Sequence, residues 1–127
     1  MSEAVGVMLG SSEAVQIQQC GFGKLVVGGE TYTDDLIVFG DRIGPRWWRQ
    51  DGHLVQLADL VEALAAEPEA LIIGTGTQQC LKVAPEVVAH AMKAGIELLI
   101  FDTRSACQTF NRLSGQRRVV ALLHLTC

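Results

Sequence analysis

Residues 71–80, LIIGTGTQQC, carry an apolar run straight into Gly74-Thr75-Gly76-Thr77. Paired glycines at the end of a buried strand let backbone N–H groups close around an anion, so a phosphate or cofactor site is the first chemistry to consider. A second group follows the next apolar run. Asp102-Thr103-Arg104 puts a carboxylate, a hydroxyl and a guanidinium in three consecutive positions, suited to a polar ligand or to a partner's acidic group. The phosphate motifs themselves are incomplete. A dinucleotide fingerprint needs a third glycine where Gln79 stands and a helix at once, whereas the next helix signal is Pro85. A P-loop needs Gly-Lys-Ser/Thr, and Gln79-Cys80-Leu81-Lys82 does not supply it. Asp102 would also repel an anion unless a metal or Arg104 offset it. A turn with a glycine-permitted backbone accounts for Gly74-Thr75-Gly76 more simply than a phosphate cradle.

The other reactive side chains are dispersed. Cys20, Cys80, Cys107 and Cys127 form no CxxC pair, and His53, His90 and His124 are scattered as well, so neither a disulfide framework nor a metal site is expected. Free thiols are the simpler reading, with Cys107 on the apolar stripe of a helix and Cys80 in a loop. No GxSxG elbow supports hydrolase chemistry. No catalytic set is complete and no cofactor is expected, so enzymatic activity is left open, with the balance toward none. Arg46-Trp47-Trp48-Arg49 is the most unusual surface candidate. Aromatics flanked by arginine make protein hot spots or stack bases. One Trp is expected in the core and the other is left open. A formal charge of −4 over 127 residues favours a protein partner over nucleic acid.

The elements that must position these residues can be read from periodicity. Residues 15–39 read as strands, with Gly28-Gly29 as a hairpin turn and Leu36–Phe39 as a buried run. His53 to Gln56 reads as one more short strand. From Leu57 the spacing turns helical, and Asp59 with Glu62 resembles a capping box. Pro68 ends that helix. A strand at 70–73 leads into the glycine loop, and Pro85 opens a helix with Val87, Val88, Ala91 and Met92 inward and Gly95 as its C-cap. A strand at 96–101, a helix from Asp102-Thr103 to Gly115, and a strand at 119–125 complete the pattern. Thr103 can cap the third helix with Asp102 beside its first turn, and Ser105 with Gln108 is an alternative cap.

This order gives an α/β fold with a mixed sheet. The strands at 70–73 and 96–101 should be parallel neighbours, near-continuously apolar because a parallel sheet is covered on both faces. Gly74-Thr75-Gly76 and Asp102-Thr103 then lie on one rim, at the carboxyl ends where open sheets collect ligands. At 49% hydrophobic the chain is long enough to bury a core. Residues 1–14 read as a flexible lead-in, with no basic residue or sustained apolar stretch, and residues 15–127 as one domain. No membrane span is legible, and a cytoplasmic location is expected.

LIIGTG (71–76), Pro85-Glu86, the Gly95-Ile96 break, DTRSACQTFN (102–111) and RRVVALL (117–123) together resemble one family of small domains. It includes mitochondrial complex I (NADH:ubiquinone oxidoreductase) assembly factor 3 and uncharacterised bacterial and archaeal relatives. The similarity extends upstream through GFGKLVVGGETYTDDLIVF (21–39). The resemblance implies a three-layer α/β domain with a mixed central sheet and an extra N-terminal β-hairpin layer. It implies a domain of unknown function whose mitochondrial members act in assembly by binding other proteins, and it carries over no catalytic residue. Gly74, Thr75, Gly76, Asp102, Thr103, Ala106, Thr109 and Asn111 are the positions that match the family motif. The combined expectation is a non-enzymatic binding or assembly-factor-like module using the rim at 74–77 and 102–104, with Asn111 in the motif and Trp47 or Trp48 beside it. The alternative is a small-molecule binder or enzyme with a polar ligand at the same rim.

Overall fold

The apolar runs that end in the two rim motifs occupy the sheet as expected. A computed structural model describes residues 15–127, and the lead-in read at residues 1–14 lies outside them. Ten strands are described: β1 Ile17–Gly21, β2 Lys24–Val27, β3 Glu30–Tyr32, β4 Leu36–Val38, β5 Ile43–Gly44, β6 Leu54–Val55, β7 Ala70–Gly74, β8 Lys82–Val83, β9 Glu97–Phe101 and β10 Val119–Leu123. The helices are α1 Val61–Ala65, preceded by a 3-10 turn at Leu57–Leu60, α2 Pro85–Ala94 and α3 Thr103–Leu113.

The central sheet runs β5-β4-β10-β7-β9. Every residue of β7 and β10 is buried, because both strands lie inside the sheet and are covered on both faces. β7 pairs parallel with β9 from Ala70↔Glu97 to Gly74↔Phe101, and parallel with β10 from Ala70↔Val119 to Gly74↔Leu123. β4 joins β10 antiparallel, which makes the sheet mixed. β9 departs from the expectation of a strand covered on both faces. It is the sheet edge, and Ile100 is 41% exposed.

Alternation along these strands sorts their side chains into two cores. Ala70, Ile72, Ala121 and Leu123 pack with Ala106, Cys107 and Phe110 of α3 and with Ile17, Leu25 and Val27 of the separate antiparallel sheet β1-β2-β3. That sheet is the extra hairpin layer, with Gly28 and Gly29 at positive φ in the β2–β3 turn. On the other face, Leu71, Ile73, Val120 and Leu122 pack with Ala63, Val87, Leu81 and Trp47.

Three local readings change. Only Val87 and Ala91 of α2 are buried; Val88 and Met92 are exposed. The four-residue apolar stripe is wider than the strip of α2 that meets the sheet. Asp59 is the third residue of its cap and not the first, with its carboxylate accepting from the Gln56 N–H at 2.8 Å. The third helix is capped by Asp102 itself, whose carboxylate accepts from Ser105 N–H at 3.2 Å and from the Ser105 hydroxyl at 2.7 Å. A short strand was not anticipated after the glycine loop. Lys82–Val83 pairs parallel with Leu54–Val55, and this pairing takes up chain between the loop and the start of α2.

Candidate functional site

The register Gly74↔Phe101 puts the glycine loop beside Asp102-Thr103, so the two motifs share one end of the sheet. The loop is closed around the chain's own backbone. Thr77 N–H donates to the Thr126 carbonyl at 2.7 Å, and the N–H groups of Gln78 and Cys80 donate to the Cys127 carbonyl at 3.1 and 2.9 Å. Converging N–H donors of this kind suit an anion, but here they hold residues 126–127. The glycines are required by that closeness. A Cβ on Gly74 would come within 2.9 Å of Leu123 Cδ2 and 3.1 Å of Thr103 Oγ1. Gly76 has φ +102, and a Cβ there would overlap the backbone carbonyl of Cys127.

The buried hydroxyls serve the same purpose. Thr75 Oγ1 donates to the Phe101 carbonyl at 3.0 Å. Thr103 Oγ1 accepts from Gly76 N–H at 2.8 Å and donates to the His124 carbonyl at 2.5 Å, tying β7, α3 and the segment after β10 together. Asn111 lies about two turns along α3 and clamps β1: its amide accepts from Ile17 N–H and donates to the Ile17 carbonyl, both at 2.8 Å. What solvent reaches at the rim is its outer part. Thr77, Asp102 and Arg104 line a cavity of about 290 Å³ together with Cys20, Phe22 and Thr103. Hydrogen bonds from the Ser105 hydroxyl and N–H hold the Asp102 carboxyl below its usual range.

Behind the rim is a charged cluster that no motif announced. Asp35 precedes β4, Arg49 follows the tryptophans and His124 follows β10. Asp35 Oδ2 lies 2.9 Å from Arg49 Nη2 and 2.7 Å from His124 Nδ1, while Oδ1 accepts from Leu125 N–H at 2.8 Å. An ionised carboxylate only accepts, so His124 carries its proton on Nδ1. Burial would raise the Asp35 carboxyl; the bonds from His124, Leu125 and Arg49 outweigh it, and the carboxyl sits below its ordinary value. The Arg49 side chain is buried, with Nε and Nη1 unpartnered among the described residues. Its guanidinium stacks on Trp47, 4.5 Å from the ring centroid.

The two tryptophans divide their work. Trp47 is buried, its main-chain N–H donating to the Asp35 carbonyl at 2.7 Å and its Nε1 to the Asp59 carbonyl at 3.0 Å. Trp48 is 74% exposed. It borders an open groove of about 600 Å³ whose walls include Arg46, Gln50, Val61 and Glu62. β4 runs antiparallel to β10, so Asp35 and the Trp47 backbone bonded to it lie at the same end of the sheet as Gly74 and Asp102.

The chain resembles known proteins over most of this architecture. A protein from Danio rerio named NADH dehydrogenase [ubiquinone] 1 alpha subcomplex assembly factor 3 is 36% identical over 77 residues, 58% of this chain and 44% of that protein. The chain therefore spans less than half the length of that relative. A Francisella tularensis protein named 13 kDa major membrane protein is 29% identical over 108 residues, 80% of this chain and 82% of that one. Among the described residues, no helix is long and apolar enough to cross a membrane. The crystal structure of a conserved hypothetical protein from Pyrococcus horikoshii superposes with a TM-score of 0.76 at 23% identity, covering 88% of this chain and 99% of that one. Its identity is low, and it shows the fold alone. Residues 17–124 match the family described as protein of unknown function (DUF498/DUF598), and the chain belongs to that family.

Proposed function

We propose that the chain is a non-enzymatic, protein-binding module of the assembly-factor kind, acting in the cytoplasm through the end of the sheet formed by the 74–77 and 102–104 rim. Trp48 carries this reading. A tryptophan 74% exposed, with Arg46 beside it, is the side-chain pairing that anchors protein interfaces. Gly74, Thr75, Gly76 and Thr103 supply the rigid platform, while Thr77, Asp102, Arg104 and Trp48 make the contacts. The naming of the Danio rerio relative as an assembly factor supports a protein partner. Nucleic acid is no part of this reading, because the charge of −4 does not favour phosphate. Affinity-tagged protein should capture a defined partner from its own cell. Trp48→Ala and Arg104→Glu should each weaken capture at least tenfold while changing folding stability by no more than about 0.5 kcal/mol. Capture unaltered by both substitutions would refute the reading.

The cavity of about 290 Å³ favours a second reading, a small polar ligand held by Asp102, Arg104 and Thr77. It predicts that a metabolite raises the melting temperature by linkage and that Asp102→Ala removes the rise. No shift across a broad panel of acids, nucleotides and metal ions would dispose of it.

A further inference from the structure

Cys20 and Cys107 are 87 residues apart in sequence, yet their Sγ atoms lie 3.1 Å from each other. Cys20 is half-buried on β1 and Cys107 is buried on α3. Their juxtaposition is fixed by the Asn111–Ile17 clamp, which holds β1 against α3 through two 2.8 Å hydrogen bonds. Cys20 opens onto two cavities. One is the rim cavity beside Asp102 and Arg104. The other, about 520 Å³, is lined by Gln18, Gln19, Lys24 and Arg104, with two cations and no acidic group among the described residues.

We propose that Cys20 and Cys107 are a thiol–disulfide exchange pair acting on anionic low-molecular-weight disulfides, with Cys20 as the attacking thiol, Cys107 as the resolving thiol, and Lys24 and Arg104 receiving the substrate's carboxylates. The Cys20 thiolate attacks one sulfur of the substrate. The substrate S–S bond breaks, the departing thiolate takes up a proton, and a mixed disulfide remains on Cys20. Cys107 then attacks Cys20 Sγ, its proton passing to the second departing thiol. Two protein thiols and one small disulfide thus become one Cys20–Cys107 disulfide and two small thiols, with two electrons passing to the substrate. The sulfurs need to close by only about 1 Å to reach bonding distance.

The electrostatics divide the roles in the same order. A hydrogen bond from Cys107 lowers the Cys20 pKa against the effect of burial, with Arg104 adding to the lowering and Asp102 opposing it. The same hydrogen bond, with burial, pushes the Cys107 thiol up, so it stays protonated beside the Cys20 thiolate. Once Cys20 enters a mixed disulfide that thiolate is gone, and the strongest restraint on Cys107 goes with it. The pair does not depend on the binding role proposed above.

The test uses the reduced protein with Cys80 and Cys127 changed to serine, treated with oxidised glutathione. A non-reducing tryptic digest should contain the Cys20 peptide joined to Ser105–Arg112, with two glutathione molecules released per chain. Cys107→Ser, and Cys107→Ala should the serine variant fail to fold, should stop at one glutathione retained on Cys20. Cys20→Ser should take up none. Arg104→Ala should slow the reaction about tenfold with oxidised glutathione and less than threefold with the neutral 2-hydroxyethyl disulfide. Absence of the joined peptide from folded protein would overturn the exchange pair. Equal slowing with both disulfides would overturn the anionic substrate class.

Discussion

Replacing Asp35 with alanine is expected to cost about 3–5 kcal/mol of folding stability, the largest effect of any single charge removal in the described structure. The cost comes from what is left behind. Among the described residues, Asp35 is the one carboxylate bonded to the buried Arg49 guanidinium, and Nε and Nη1 of that group have no partner there. Its loss leaves that charge, between Trp47 and His124, with the neutral Gly52 carbonyl as its acceptor and removes the acceptors of His124 Nδ1 and Leu125 N–H. The pH dependence follows from the same bonds. The folded-state pKa of Asp35 is lowered, so its contribution is complete above the ordinary carboxylate value of about 4 and is lost as pH falls below it. Urea unfolding between pH 7 and pH 3 should show wild-type stability declining through the acid range, with that portion of the decline absent from Asp35→Ala. A loss under 1 kcal/mol at pH 7 would mean that Arg49 is not desolvated as described.

Gly76→Ala is expected to be nearly as damaging, at about 3 kcal/mol, or roughly a 10 °C fall in melting temperature. A residue with a Cβ is strained at φ +102, and the added carbon meets the Cys127 backbone and comes within 2.8 Å of His124 Cδ2. Because the obstruction is backbone, residues 124–127 must move away. The N–H groups of Thr77, Gln78 and Cys80 then lose their acceptors, and hydrogen exchange should accelerate at those amides first. Gly52→Ala serves as the control, since nothing among the described residues lies within 4 Å of its Cβ position. Equal stability of the two variants would show that the glycine loop does not seat residues 126–127.

The sequence made the central strands legible because burial on both faces writes itself as an uninterrupted apolar run, as in LIIG and VVALL. Pro85 and Gly95 marked the ends of α2 for local reasons that tertiary packing did not override. The shared rim followed from strand order alone. What fills the rim did not, because a glycine loop that accepts a phosphate and one that accepts the chain's own carbonyls need the same residues locally. The charged cluster was hidden for a related reason. Asp35 and His124 are 89 residues apart, and each is unremarked in its own segment until β4 and β10 pair. Arg49 stood out only as a companion of the tryptophans, with no sign that it turned inward. The cysteines were read as scattered since spacing reports only local pairs, whereas β1 meets Cys107 through a helix-to-strand contact. Val88 and Met92 erred the other way. An apolar stripe shows what a helix can bury, while the width of the sheet beneath it decides what it does bury.

Partners are proposed to meet this domain at the end of the sheet where Arg104 is presented, with Trp48 of the separate groove as a second contact. Site-specific photo-crosslinking tests this most directly, with p-benzoylphenylalanine placed in turn at position 48, at position 104, and at the exposed Gln116, beyond the opposite end of β10. Irradiation in the native cell should give one and the same discrete adduct from positions 48 and 104 and none from position 116. An adduct from position 116 alone, or different adducts from 48 and 104, would contradict the account.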